Sequence, residues 1–350
     1  MERGEARGML AGLKREITIA GGGLAGLALA SGLRRHEVPV TVLEAGSYPR
    51  HRVCGEFISG TSGETLERLG IAELFAGSLR HHTLAWHEQG REIHHDQLPE
   101  PAVGISRHLL DERLYQHALA SGAAVRTGVR ARAEPREGLV WAAGRRPKNG
   151  GWVGLKAHVR GVAMRADLEM HMGTNGYAGL AGVEDGWTNV CGLFQIDRSL
   201  KATGSGLLMA YLEAGGNGAL SKMLRGGEWR EDSFSAVAGF ELGRQPEMPG
   251  LLALGDAESM IPPFTGNGMS MAFQAAELAT EPLALWSRGG LSWQDAVNRV
   301  RRGLRGRFRK RMAVAGAMHP LLLRPAGRSL LQSLASARLL PLHPLLALIR

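Results

Sequence analysis

Three stretches of the chain have residue types and spacings that could do chemistry. The first is Gly21-Gly22-Gly23-Leu24-Ala25-Gly26. Gly21 permits a tight turn, Gly23 lets backbone approach a pyrophosphate, and Gly26 lets a following helix pack closely on the strand before it. The amides of that helix start, at Leu24 and Ala25, would then face phosphates together with the positive end of the helix dipole. Glu44, followed by Ala45, stands 18 positions after Gly26 (44 − 26). A carboxylate there can accept hydrogen bonds from ribose hydroxyls and disfavours a 2′-phosphate. The second stretch runs from Arg50 to Ser59 and holds Arg52, Cys54 and Glu56. A thiol beside Arg50 and Arg52 is expected to have a lowered pKa and could donate a proton; the alternative is a small buried packing residue. Glu56 suits either acid–base work or a buried hydrogen-bonding role, and Arg52 suits a cofactor or substrate contact. The third stretch is Gly255-Asp256-Ala257 with the loop Pro262-Pro263-Phe264-Thr265-Gly266-Asn267-Gly268-Met269.

These residues need elements to hold them. Residues 17–20 and 40–43 are short, apolar and β-branched, as buried strands are, and residues 27–35 between them are rich in Ala and Leu, as a helix is. Residues 251–254 form a further apolar strand ending at Asp256, and a helix is expected from Ser270 to about Leu283. The strand, the acid at its tip, the glycine loop and the helix make a second terminus suited to polar groups of a ligand. Between residues 151 and 239 apolar and polar residues alternate with frequent glycines. Strands are expected at 152–159, 168–172 and 186–194, forming a sheet over the site. His158 and His171 are read as ordinary sheet residues, and no metal site is expected, because no spacing such as His-Glu-x-x-His occurs.

The chain has 350 residues, 44% hydrophobic and 21% charged, ordinary for a globular protein of about two domains. Its formal charge of +9 is concentrated between Arg299 and Arg311. That segment is read as a solvated helix face, with a membrane-surface or acidic carrier-protein contact as the sharper alternative. Nucleic acid is not expected as a partner, since aromatics are only 5% and no recognition motif occurs. Two cysteines, Cys54 and Cys191, form no disulfide framework and suit a cytoplasmic location. No run approaches the roughly 20 apolar residues of a spanning helix. The Leu-rich residues 319–350, with Leu330, Leu331 and Leu334 on one helical face, are read as a helix on the core or as a wall for an apolar substrate.

The glycine turn, the Gly255-Asp256 segment with its Pro-Pro-Phe-Thr-Gly-Asn-Gly loop, and Ile105-Ser106-Arg107 before the helix 109–120 resemble the para-hydroxybenzoate-hydroxylase-like flavoproteins, over roughly residues 15 to 285. That superfamily includes aromatic hydroxylases, flavin halogenases and geranylgeranyl reductases. The resemblance implies an α/β fold: a Rossmann-like FAD-binding domain, an inserted β-sheet substrate domain and C-terminal helices. The FAD-binding domain is expected at residues 12–80, 103–150 and 245–290, the substrate domain at 81–102 and 151–244, and a helical region at 291–350. FAD is the implied cofactor and NAD(P)H the electron donor. The implied FAD contacts are Gly21, Gly23, Leu24, Ala25, Gly26, Glu44, Ala45, Arg52, Arg107, Gly255, Asp256, Pro263, Gly266, Asn267, Gly268 and Met269. Cys54-Gly55-Glu56 resembles the geranylgeranyl-reductase branch, which makes Cys54 and Glu56 the catalytic candidates. Gly176-Tyr177-Ala178-Gly179-Leu180 resembles the substrate-side turn. Ala143 stands where the family has an Asp serving flavin and nicotinamide, which leaves room for a ferredoxin or a separate flavin reductase as donor. The halogenase segment Trp-x-Trp-x-Ile-Pro and the reductase segment Tyr-x-Trp-x-Phe-Pro are both missing. The implied function is oxidation or reduction of an apolar or aromatic small molecule (a polyketide, quinone or isoprenoid), by ene-reduction or hydroxylation. The alternative is a flavin-binding electron carrier or sensor.

Overall fold

A computed structural model describes residues 14–145, 150–239 and 241–324, with 326, 327, 329, 333 and 334 beyond them. The chain runs β1 (Ile17–Ala20), α1 (Leu24–Arg35), β2 (Val40–Leu43), β3 (Phe57–Ile58), α2 (Gly63–Leu69), β4 (Leu79–Glu88), β5 (Arg91–Gly104) and α3 (Arg107–Ala120). It continues through β6 (Ala124–Arg126), β7 (Leu139–Trp141), β8 (Trp152–Arg160), β9 (Leu168–Met172), β10 (Gly176–Gly182), β11 (Thr188–Gln195), α4 (Ser205–Ala214), α5 (Gly218–Arg225) and β12 (Glu228–Ala238). The last elements are β13 (Gly243–Arg244), β14 (Leu252–Ala253), β15 (Ser259–Met260), α6 (Gly268–Ser287) and α7 (Trp293–Leu323).

The apolar strands of the sequence come together as a five-stranded sheet in the order β14-β7-β1-β2-β6, with every pairing parallel. Strands buried on both faces must be apolar throughout, and Ile17, Ile19, Val42 and Val140 are fully buried. Helix α1 lays Leu27, Leu29 and Leu33 into the same core. Its last turn carries Arg34 and Arg35, which favour the negative end of its dipole. Helix α3 starts where the Ser106 side chain accepts from the Leu109 N–H at 3.0 Å, one of the donors a helix start leaves unpaired.

The second sheet has eight strands in the order β12-β8-β11-β10-β9-β4-β5-β3. It is antiparallel except at one seam, where β4 runs parallel to β9. Alternation sorts the two faces of β8. Val153, Leu155, Ala157 and Val159 face α4 and α5, packing against Leu208, Leu212, Leu220 and Leu224. Gly154, Lys156 and His158 face the other way. Two expectations change here. The stretch 176–180 is no turn but part of strand β10, hydrogen-bonded to β9 and β11. The alternation read between residues 151 and 239 is interrupted by α4 and α5.

Helix α7 absorbs the arginine-rich segment. Val297, Val300, Leu304, Phe308 and Ala315 are buried at helical spacing, while Arg301 donates to the carbonyls of Met248 and Leu251. The buried Arg311 donates to Gln274 Oε1 at 3.1 Å, and burial pushes its pKa down to about 10. The end of α7 brings Met318 to the cavity described below and packs Leu322 near Trp86 and Phe264. Leu330 and Leu331 lie outside the described residues. No helix among the described residues is long and apolar enough to cross a membrane.

Candidate active site

A cavity of about 900 Å³ takes its wall from both sheets. It is at the upper end of the roughly 300–1,000 Å³ usual for ligand sites. On the parallel-sheet side the wall includes Gly21, Gly23, Leu24, Ala25, Glu44, Ala45 and Arg52, and further round it Cys54, Arg107, Gly255, Asp256, Pro263, Gly268 and Met269. Four of the expected residues are off this wall: Gly26, Glu56, Gly266 and Asn267. Each supports a neighbour. A Cβ on Gly26 would stand 2.0 Å from the Gly21 carbonyl oxygen, and one on Gly266 would stand 2.0 Å from the Phe57 ring. The Asn267 side chain donates to the Thr265 carbonyl at 2.8 Å, shaping the loop rather than capping α6.

The glycine turn fits an FAD pyrophosphate. Gly21 has φ +106°, and a Cβ there would lie 2.3 Å from the Ala142 carbonyl oxygen, so only glycine suits the turn. Gly23 is different: a Cβ would meet nothing within 4 Å, because the position opens into the cavity at the start of α1. No side chain caps α1 or α6, which leaves both first turns as sites for acceptors of a ligand. Glu44 is held from two sides. Its Oε2 accepts from the Gly22 N–H and its Oε1 from the Gly46 N–H, both at 2.8 Å, and Arg50 donates to Oε1 at 2.8 Å. Burial pushes this carboxyl's pKa up, but Gly46, Arg50, Arg52 and Gly22 together bring it below its ordinary value. The Arg52 Nη2 is buried without a hydrogen-bond partner, 3.8 Å from Glu44 Oε2, a free donor suited to an anion.

Asp111, which the sequence reading passed over, organises the arginines. It is fully buried and takes Arg107 with both oxygens, at 2.7 and 2.9 Å, while Arg52 Nε donates to Oδ2 at 2.8 Å. The one sequence signal was the i,i+4 spacing of Arg107 and Asp111 on α3. Burial works against the charge on Arg107, yet Asp111 holds its pKa above the ordinary value.

The expected lowering of the Cys54 pKa is overturned. Burial pushes the thiol above its ordinary range; the opposing pull of Arg107 is smaller, and Glu56 adds to the rise. Arg50 is turned to Glu44 and Arg52 to Asp111, so neither supplies the positive field the sequence reading assumed. The thiol keeps its proton at neutral pH. Its loop is fixed by Asn189 on β11, whose Nδ2 donates to the Cys54 carbonyl at 2.9 Å. Cys191, the other cysteine, also lines the cavity.

Glu56 lies behind the wall in a buried cluster. Lys156 Nζ is 3.1 Å from Glu56 Oε1, His158 Nε2 is 2.5 Å from Oε2, and the Arg107 N–H donates to Oε1 at 2.9 Å. Glu56 has φ +57°, a conformation costing a non-glycine residue roughly 1–3 kcal/mol, which these contacts hold in place. Burial raises its pKa, but His158 and Lys156 more than offset that, so it stays ionised. Lys156 also meets His51 Nδ1 at 3.1 Å; burial, then the Lys156 charge, push His51 down to about 3. His158 is therefore no ordinary sheet residue, and Lys156 is tied up behind the wall rather than presented to the cavity.

The fold and the site's geometry fit an FAD-dependent oxidoreductase. Residues 14–151 match the family described as FAD binding domain. The chain is similar to a flavin-dependent brominase of known structure, with a TM-score of 0.73 and 17% identity over 95% of this chain and 94% of that one. A geranylgeranyl bacteriochlorophyll reductase-like protein from Thermoplasma acidophilum gives a TM-score of 0.72 and 16% identity over 95% of each chain. Menaquinone reductase of Mycolicibacterium smegmatis is 27% identical over 121 residues. That match spans 33% of this chain and 30% of the reductase. The family match thus covers residues 14–151, and the likeness to solved flavoproteins extends the shared fold over nearly the whole chain.

Proposed function

We propose that the chain is an FAD-dependent reductase that saturates a carbon–carbon double bond of an apolar quinone or isoprenoid, with NAD(P)H as electron donor. The observation that carries this reading is the protonated Cys54 thiol on the wall of a cavity whose other side is apolar. Leu84, Trp86, Leu98, Met170, Phe264 and Met318 line it, which suits a long hydrocarbon substrate. Bound FAD supplies the hydride chemistry. The uncapped start of α1, with Gly23 and Arg52, would hold the pyrophosphate; Glu44 would hold the ribose; Asp256 and the start of α6 would hold the ribityl chain and ring edge. Cys54 is placed to supply the proton that one carbon of the double bond gains as the other gains the hydride, while Asn189 and the Glu56 cluster keep its loop in place. The similarity to menaquinone reductase supports this substrate class, as does Cys54-Gly55-Glu56.

The test is anaerobic. Holoenzyme is followed by its visible spectrum on adding NADH or NADPH, then a polyprenyl quinone. The expected outcome is bleaching, recovery on adding the quinone, and a product that stays heavier by two hydrogens after air reoxidation to the quinone, which places them in the hydrocarbon chain rather than in a quinol ring. A hydroxylated product formed only with oxygen would replace the reductase by a hydroxylase. Bleaching without any product would leave an electron carrier, and no bleaching would exclude NAD(P)H as donor. Cys54→Ala should slow quinone reduction by roughly 10²–10⁴-fold with flavin content unchanged; equal turnover would remove Cys54 from the chemistry.

A further inference from the structure

On the sheet face that packs toward α4 and α5, His87 of β4 and Glu169 and His171 of β9 come together. Their donor atoms all lie within 4.8 Å of one another, and all three residues are buried. The strand register gives their place: Glu169 and His171 pair with Leu180 and Ala178 of β10, which pack toward α4 and α5. His87 stands opposite His171 across the parallel seam, their rings stacked at 4.5 Å and 8°. His171 Nε2 is 2.8 Å from Glu169 Oε2, and His87 Nε2 is 3.9 Å from the same oxygen.

We propose that His87, Glu169 and His171 bind a divalent transition-metal ion of the zinc class that staples the β4–β9 seam. Two imidazoles and one carboxylate are a recurrent ligand set for such ions. His87 Nε2 has no hydrogen-bond partner although it is buried. A buried polar atom left unpaired is costly, and an ion between it and Glu169 would remove that cost. The carboxylate is oriented from behind, as Glu169 Oε1 accepts from the Arg165 N–H at 2.5 Å, an outer contact of the kind that aims metal ligands. His51, Glu56 and His158 form a similar trio, but Lys156 already sits on Glu56 at 3.1 Å and supplies the positive charge an ion would bring. The location also has a structural reason. The seam joins the β4–β5 hairpin to strands more than sixty residues later, and its pairing is the sheet's single parallel one.

The experiment uses tag-free holoenzyme, stripped with EDTA, incubated with Zn²⁺ alone and desalted, with bound zinc measured by mass spectrometry. One zinc per chain is expected in the wild type and in His51→Ala, and under a tenth of that in His87→Ala and Glu169→Gln. Zinc should raise the melting temperature of the wild type by a few degrees and leave His87→Ala unmoved, since an ion bound only by the folded state stabilises it. Flavin content reports whether each variant is folded. If His87→Ala does not fold, the wild type and His51→Ala still decide the matter. No retained zinc in the wild type, or zinc lost in His51→Ala but kept in Glu169→Gln, would overturn the site.

Discussion

Two buried glutamates, each flanked by two histidines, sit on opposite faces of the same sheet. Glu56 meets the inner face, where Lys156 and His158 point from β8; Glu169 belongs to the outer face. The residue types are nearly the same, and the difference is one ammonium group. Lys156 fills the Glu56 cluster with a positive charge, so that cluster is complete and works as a brace for the Cys54 loop. The Glu169 cluster has two imidazoles and no ammonium among its contacts, so it offers ligand atoms where the other offers rigidity. An ammonium paired with a carboxylate in an interior closes a site, whereas imidazoles around a carboxylate offer nitrogen and oxygen ligands to a cation.

Breaking that comparison produces the largest expected effect. Glu56→Gln leaves Lys156 charged and fully buried without its partner, which should cost about 3–5 kcal/mol. Glu169→Gln in zinc-free protein strands no ammonium group and should cost only about 1–3 kcal/mol, through weakened hydrogen bonds. Urea unfolding of the two variants measures both, and equal losses would mean that Lys156 does not distinguish the clusters. Acid sharpens the point. The Glu56 pKa is lowered in the fold from an ordinary value of 4.5, so its contribution is complete above that value and is lost as pH falls through the lower folded one. Wild-type and Glu56→Gln stabilities should converge below pH 4.5; a constant gap would show that Glu56 is held by something other than its charge.

The same contrast between filled and open positions separates the glycines. Gly21 and Gly26 face backbone at 2.3 and 2.0 Å, whereas Gly23 faces open space. Gly23→Val should therefore fold normally yet weaken FAD binding by about 1–3 kcal/mol, roughly five- to 150-fold, because its methyls would occupy the pyrophosphate's place. Titration of apoprotein with FAD reads this directly. A Gly23→Val protein with wild-type affinity would put the pyrophosphate elsewhere.

The sequence made the parallel sheet and its glycine turn legible because their signals are local: a strand, a turn, a helix and an acid within thirty residues. Most of the expected flavin contacts accordingly line the cavity. What stayed hidden was assembled across the chain. Lys156 and His158 alternate with apolar residues on β8, as solvent-facing residues would, and only the arrival of the Cys54–Glu56 loop makes their face an interior one. His87 and Glu169 are 82 positions apart (169 − 87), joined by a parallel seam that no turn announces. The Cys54 pKa was misjudged for a related reason. Sequence proximity to Arg50 and Arg52 does not say which acids claim those guanidinium groups, and Glu44 and Asp111 claim them first.

Asp256 extends the comparison to an acid at the cavity itself and gives the smallest effect. Unlike the buried Glu56, Asp256 is exposed on the cavity wall, so its ionisation costs the fold little and Asp256→Asn should leave the stability of the apoprotein unchanged within about 0.5 kcal/mol. The amide can still accept a hydrogen bond from a ribityl hydroxyl but without charge assistance, so FAD affinity should fall by about 1 kcal/mol. Cofactor affinity would then move while stability does not. If both fell together, Asp256 would be a structural acid like Glu56, and its place on the cavity wall would be incidental to the flavin.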